Sequence, residues 1–251
     1  MKITLAALAI AGGALLAATQ LSAQDVKTDP AEYQIGVLSD TPESFAFLQR
    51  LTRGLDHSGQ LRVLPMAGKG PVQSLTDLVK LPGVDAVVIA SDTLPFMEAN
   101  GLIRGLGSKI SYAVRLASLD VHMVARGEGI NSFADLEGKV VASGSTASSS
   151  YAATQLLIAA HMVTVKILET TPANAVAAVA AGKADAAILV GHKPLPELRQ
   201  AKGVRLVSIA APEALAGIYS PSLLDNADYP GLIAENSPVE TISSSLIRAI
   251  L

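Results

Sequence analysis

Hydroxyl and glycine residues are concentrated at four points of the sequence, each between an apolar, strand-like run and a stretch with helical spacing. The largest of these clusters, residues 143–150, has Ser or Thr at six of eight positions. Unpaired N–H groups at a helix start favour an anion, and hydroxyl groups add adjustable donors and acceptors. The clusters therefore predict a polar binding edge, with the candidate ligand-binding residues Ser39, Asp40, Thr41, Ser91, Asp92, Ser145, Thr146, Ser148, Ser149, Gly191 and His192.

A helix cap is the alternative interpretation for each cluster, because Ser, Thr and Asp are also the preferred capping residues. Residues 143–150 contain more hydroxyl groups than one cap requires, which favours ligand contact there. In open α/β sheets, ligands bind where the carboxyl ends of the strands meet the helix starts. All four clusters occupy that position in the predicted order of elements.

Residue patterns that are typical of enzymes and metal sites are missing from the sequence. It has no Cys, and its four His residues lack the spacing of metal ligands. No Gly-x-Ser-x-Gly motif occurs, and Gly68–Lys69–Gly70 lacks the other residues of a phosphate loop, so we interpret it as a turn. We expect a protein without catalytic residues, bound metal or cofactor.

Short apolar runs alternate with helical stretches along most of the chain, which predicts βα units and a parallel-rich sheet with flanking helices. Residues 110–125 form one β-prone stretch that is unusually long for a single strand, and a second extended crossing is expected near 200–206. A strand that leaves one lobe and enters another explains such a length. The predicted fold is therefore α/β with two lobes, and a further helix is expected to begin at 191–194.

The proposed division of the chain begins with a signal peptide at residues 1–23. A short positive start precedes the apolar run of residues 3–18, and small residues before Ala23 fit cleavage after that position. An uncleaved membrane anchor is the alternative. Lobe 1 comprises residues 24–118 together with 206–251, and lobe 2 comprises 119–205. We expect a periplasmic protein, and the net charge of −3 argues against nucleic acid as a partner.

Several segments carry a resemblance to a known family. They read LPMAGKGPVQ at 64–73, GVDAVVIASD at 83–92, INSFADLEGKVV at 130–141, GHKPL at 191–195, DYP at 228–230 and VETI at 239–242. In this order, the chain resembles the TAXI-class solute-binding receptors of TRAP transporters, in the NMT1-like branch of type II periplasmic binding proteins. The resemblance covers roughly residues 33–251.

The resemblance implies a Venus-flytrap fold, a small organic anion such as an amino acid or carboxylate as ligand, and a TRAP membrane permease as partner of a monomeric receptor. The first loop, residues 39–45, departs from the glycine-rich loop of the family. Family members also continue past the position of Leu251, which implies an incomplete first lobe. Arg104, Arg115 and Arg126 are possible additional anion contacts. The alternatives are a periplasmic sensor or scaffold, a remnant with impaired binding, and a periplasmic enzyme.

Overall fold

The computed structural model of the protein describes residues 33–40, 42–55 and 61–250. The strands are β1 (Tyr33–Ser39), β2 (Leu61–Ala67), β3 (Ala86–Ala90), β4 (Ser111–Ala125), β5 (Val140–Ser143), β6 (Lys166–Glu169), β7 (Ala186–Gly191), β8 (Arg205–Val207), β9 (Ser220–Leu224) and β10 (Val239–Ile250). The helices are α1 (Pro42–Leu55), α2 (Pro71–Lys80), α3 (Thr93–Ala99), α4 (Ser149–His161) and α5 (Pro172–Ala180). The predicted signal peptide and Thr41 lie outside the described residues.

The described strands form one sheet in the order β2-β1-β3-β10-β4-β7-β5-β6, while β8 pairs with β4 and β9 with β10. The first sheet half, β1 to β3, is parallel, and so are the β5–β6 and β5–β7 pairs of the second sheet half. The alternation of strands and helices read from the sequence is thus confirmed.

Two long antiparallel strands join the sheet halves. The first part of β4 pairs with β10, and its last six residues pair with β7 instead. Strand β10 likewise pairs with β9 at its beginning and with β3 at its end. This confirms the prediction of a strand that runs from one half into the other at residues 110–125. The second such strand is β10 rather than 200–206, and the residue ranges of the two lobes stay a prediction.

Local sequence explains where the helices bordering the sheet begin. Helix α2 has Pro71 in its first turn, where the missing N–H removes no hydrogen bond. Ser148 and Thr171 cap α4 and α5 by accepting hydrogen bonds from the N–H groups of Tyr151 and Asn174. The helix expected at 191–194 is wrong: a cis Lys193–Pro194 bond and a short 3₁₀ turn, Pro196–Leu198, follow β7.

The largest apolar cluster takes residues from both sheet halves. Leu75 of α2 and Met97 of α3 belong to it together with Leu157 of α4 and Ile188 of β7, and each is almost fully buried. Because this one cluster includes residues of α2, α3 and α4, it holds these helices against the strands of both sheet halves. No helix among residues 33–40, 42–55 and 61–250 has the length and apolar character needed to cross a membrane.

Candidate functional site

A cavity of about 720 Å³ opens between the loops that follow strands of both sheet halves. Its walls come from the β2–α2 loop, the β5–α4 loop and the segment after β7, and its floor from β4 and β10. Six of the sequence-predicted residues line it: Asp40, Ser145, Ser148, Ser149, Gly191 and His192. The structure therefore brings together residues that lie up to 152 positions apart in the chain.

Two helix starts, one from each sheet half, border the cavity. Helix α2 begins beside Gly70, which provides no side-chain cap, and α4 begins beside Ser148. Gly70 has a φ of +114°, and a β-carbon there would lie 2.4 Å from the carbonyl oxygen of Ala147. Only glycine fits this close approach. Because helix starts carry partial positive charge, their convergence favours an anion in the cavity.

The serine cluster has divided roles. The Ser148 hydroxyl donates to the carbonyl of Ser145 at 2.8 Å and accepts from the Tyr151 N–H at 3.2 Å. The Ser150 hydroxyl accepts from the Val190 N–H at 3.0 Å and so ties the start of α4 to β7. Most of the cluster thus shapes the loop. Ser145 is exposed and Ser149 partly exposed at the cavity wall.

Thr146 belongs to the same loop but does not line the cavity. Its N–H donates to the carboxylate of Glu169, at the end of the neighbouring strand β6, at a distance of 3.0 Å. The structure therefore uses this residue to fix the loop to the second sheet half.

Charged side chains of both signs line the cavity. Lys69, Lys193 and Arg199 line it, against the acids Asp40 and Glu197. Lys193 is engaged, since its Nζ donates to the Leu223 carbonyl at 2.5 Å and lies 3.4 Å from an Asp228 carboxylate oxygen. Lys69 is exposed and makes no hydrogen bond or ion pair with the described residues. The Arg199 side chain is likewise exposed and makes no hydrogen bond or ion pair with the described residues. Lys69, beside the start of α2, and Arg199, after β7, are therefore the two cations available to an anionic ligand.

The cavity wall after β7 is held from behind by buried polar groups. The Leu195 N–H donates to the Tyr229 hydroxyl at 2.7 Å, and that hydroxyl lies 2.8 Å from Nε2 of His122. Nδ1 of His122 lies 3.1 Å from the Asp120 carbonyl. Burial lowers the pKa of His122 to about 4, so the ring is neutral near pH 7. A neutral ring with its proton on Nδ1 donates to Asp120 and accepts from Tyr229.

Besides Thr146, three predicted site residues of the described chain, Ser39, Ser91 and Asp92, do not line the cavity. Ser39 is buried, with its hydroxyl 2.5 Å from that of Ser44. Ser91 exchanges hydrogen bonds with Ser245 of β10: its hydroxyl accepts from the Ser245 N–H, and its N–H donates to the Ser245 carbonyl. Thr41 lies outside the described residues, and Asp92 is buried elsewhere.

Asp92 follows β3 and is fully buried. One of its carboxylate oxygens accepts from the Tyr219 hydroxyl at 2.7 Å, while Oδ1 has no hydrogen-bond partner in the described structure. Burial raises the pKa of Asp92 to about 6, against the smaller opposing effect of the Tyr219 hydrogen bond. Asp92 is therefore buried between the end of β3 and the chain before β9, and it does not line the cavity.

Comparison with known proteins gives a partial family match and a clear fold. Residues 107–231 match the family model described as NMT1/THI5 like. No curated protein matches the sequence of this chain.

Solved structures supply the fold. The regulatory domain of Synechocystis CcmR, in complex with 2-PG, shares 14% identity, covering 87% of this chain and 88% of its own, with a TM-score of 0.50. The glutamate-bound GluR0 ligand-binding core from Nostoc punctiforme shares 15% identity, covering 86% of this chain and 84% of its own, with a TM-score of 0.50. An arginine-bound ancestral arginine-binding protein shares 14% identity, covering 86% of this chain and 83% of its own, also with a TM-score of 0.50. The chain has the type II periplasmic binding protein fold, which confirms the predicted fold class.

Several cavity residues were not predicted from the sequence. Lys69 was placed in a turn, which is where it lies, but nothing in the local sequence showed that this turn meets the β5–α4 loop. Leu119 and Leu246 form part of the cavity floor, and their apolar character alone was indistinguishable from that of core residues. Tyr229 lies 107 positions from His122. The DYP motif at 228–230 was the one available signal for it.

The arginines and metal ligands considered from the sequence can also be placed. None of Arg104, Arg115 and Arg126 lines the cavity, and Arg115 instead donates to the Ser118 hydroxyl at 3.3 Å. The part of the chain that the structure describes contains no group of three His, Cys, Asp or Glu residues able to hold a metal ion. Anion contact thus falls to the helix starts, Lys69 and Arg199.

Proposed function

We propose that this protein is an extracytoplasmic solute-binding receptor that captures a small organic anion by closing its cavity around it. The observation that carries the proposal is the convergence of two helix starts, one from each sheet half, on a cavity that also contains Lys69. Backbone N–H groups and a lysine together provide both the donors and the charge that a carboxylate needs.

Closure is supported by the contact between Gly70 and Ala147. These residues belong to loops of different sheet halves, and their backbones approach so closely that a side chain on Gly70 would collide with Ala147. The loops are connected through β4 and β10, the two strands that join the halves. An anion that contacts both helix starts binds the closed form more tightly than an open one, and this difference in affinity drives closure.

The direct test is ligand screening of the purified protein by thermal shift and calorimetry, using amino acids and mono- and dicarboxylates. Lys69→Gln should weaken anion binding at least about tenfold, because a hydrogen bond to a charged group contributes about 1.5–3 kcal/mol. Lys80→Gln is the matched control, since Lys80 is an exposed lysine in the last turn of α2, the helix that follows Lys69, and lies outside the cavity. Equal affinities of the two variants would contradict the role of Lys69, and stabilisation by no small anion would contradict the proposal itself.

The transport partner is part of this proposal. The resemblance of residues 33–251 to TAXI-class receptors supports delivery to a TRAP permease, by a monomeric receptor in the periplasm. Uptake of a bound solute into vesicles that contain such a permease should depend on added receptor. If the ligand binds but uptake is unaffected, sensing is favoured instead, since the same fold occurs in a regulatory domain and in a receptor core.

Absence of catalysis also belongs to the proposal. The hydroxyl of Ser148 is used within its own loop, and His122 is buried behind the cavity wall. His192, at the cavity, is exposed and forms no hydrogen bond with a described serine. We expect a bound ester or amide to be recovered unchanged, and turnover abolished by Ser145→Ala would overturn this expectation.

A further inference from the structure

The size of the cavity and the character of its floor define the ligand more closely, on the basis of the proposed function. A volume of about 720 Å³ lies well inside the range of about 300–1,000 Å³ that is typical of pockets for drug-sized molecules. Lys69 and the starts of α2 and α4 provide one set of anchors for an anion, and Arg199, in the segment after β7, is a further cation at the wall. Space for a sizeable ligand body is left beyond them.

That remaining space has an apolar floor built from both sheet halves. Leu119 of β4, Leu246 of β10 and Val190 of β7 all line the cavity. They also belong to one continuous apolar cluster, in which Leu119 and Leu246 are buried and Val190 packs against them at its edge. A polar ligand body placed there would lose hydrogen bonds to water without replacing them, which is costly. An apolar body would gain from the same burial.

Two further observations narrow the chemistry of this body. No Phe, Tyr or Trp of the described chain lines the cavity, so the imidazole of His192 is the one aromatic ring that the described wall offers to a ligand. The acids at the wall are Asp40 and Glu197, and Asp40 already accepts a hydrogen bond from the Ser44 hydroxyl at 3.2 Å. These acids can still accept from an ammonium group at the wall, but the side chains of Leu119, Leu246 and Val190 offer it no acceptor. A ligand body that lies over this floor is therefore better matched by an aliphatic chain than by an ammonium group.

We infer that the ligand is an aliphatic carboxylate of medium chain length. Its carboxylate lies near Lys69 and the two helix starts, and its chain extends over Leu119, Leu246 and Val190. Each added methylene that is buried should raise the affinity about fourfold, which corresponds to about 0.8 kcal/mol. Octanoate should therefore bind on the order of 200-fold more tightly than butyrate, which is four methylenes shorter.

Isothermal titration of the purified full chain with butyrate, hexanoate, octanoate and L-glutamate tests this inference. Val190→Thr keeps the shape of the side chain but adds a hydroxyl at the floor, so it should weaken octanoate binding several-fold and leave butyrate binding nearly unchanged. Val163→Thr is the matched control, because Val163 is partly buried outside the cavity. Lys69→Gln should weaken binding of all three alkanoates by a similar factor.

The possible results separate the inference from the proposed function. An affinity that rises with chain length, with the loss at Val190→Thr confined to the longer acids, supports both. An affinity independent of chain length, or L-glutamate binding more tightly than octanoate, overturns the aliphatic ligand while the anion receptor stands. Failure of all four compounds to bind a folded protein overturns the aliphatic ligand and counts against the anion receptor as well.

Discussion

Replacing Asp92 by Asn should stabilise the protein at neutral and higher pH. Asp92 is fully buried, its Oδ1 has no hydrogen-bond partner in the described structure, and no cation pairs with it there. The Asn side chain has nearly the same shape and keeps an oxygen that can accept from the Tyr219 hydroxyl. The substitution therefore removes the buried charge and retains the hydrogen bond that holds Asp92 to Tyr219.

The magnitude follows from the pKa of Asp92, which burial raises from 3.8 to about 6. A raised pKa means that the folded protein binds the proton more tightly than the unfolded chain does. The stabilisation from the protonated form is complete below pH 3.8 and is lost as the pH rises to about 6. This loss amounts to about 3 kcal/mol, since one pKa unit corresponds to about 1.4 kcal/mol. Asp92→Asn avoids this loss because Asn carries no charge, although its amide NH₂ would take the place of Oδ1 and have no hydrogen-bond partner.

Urea unfolding followed by circular dichroism at pH 4, 6 and 8 measures this effect. The variant should exceed the wild type in free energy of unfolding by up to about 3 kcal/mol at pH 8, and the difference should largely disappear at pH 4. Glu128→Gln is the control, because Glu128 is exposed and a surface substitution should change stability by less than about 0.5 kcal/mol at either pH. An equal difference at pH 4 and pH 8, or destabilisation at pH 8 alone, would refute the reasoning from burial.

Two further predictions concern the cavity wall and the approach of the two loops. Burial lowers the pKa of His122 from 6.5 to about 4, so the free energy of unfolding of the wild type should fall by up to about 3 kcal/mol as the pH decreases from 6.5 to 4. In His122→Gln the free energy of unfolding should depend less on pH in that range. An unchanged pH dependence in urea titrations would contradict the lowered pKa of His122. Gly70→Ala should keep the loops apart, lower ligand affinity at least about tenfold and enlarge the radius of gyration in X-ray scattering with ligand present. Gly203→Ala has a similarly positive φ of +72° but open space around it, so equal losses of affinity in the two variants would refute the steric argument.

Much of the fold followed from the sequence because its signals are local. The predicted alternation of strands and helices occurs, and the residues that begin the helices, Pro71 in α2, Ser148 before α4 and Thr171 before α5, each act within one turn of chain. The length of residues 110–125 also correctly predicted a strand shared by both halves. The helix expected at 191–194 failed because Pro194 and Pro196 favour an extended path and a 3₁₀ turn instead.

Strand β10 was the main element that sequence reasoning missed. Its centre, Ser243–Ser245, lacks the apolar alternation of a half-buried strand, and the sequence analysis placed no strand there. In the structure Ser243 and Ser244 are buried because β10 lies between β3 and β4, and backbone pairing to both neighbours replaces the usual apolar signal. Such pairing depends on residues more than a hundred positions away, which no local pattern records.

The same long-range pairing decided which predicted residues reached the cavity. Asp92 and Ser148 carry the same sequence signal, a capping side chain between a strand and a helix, but they have different surroundings. Ser91 is hydrogen-bonded to the Ser245 backbone of β10 and is partly buried, while Asp92 is hydrogen-bonded to Tyr219 of the chain before β9 and is fully buried. The loop at Ser145 and Ser148 instead contacts Gly70 of the other sheet half through Ala147, and both residues line the cavity beside that contact. A capping residue at a strand end is therefore available to a ligand only where the sheet leaves that end uncovered, and this depends on the register of β10 rather than on the capping residue itself.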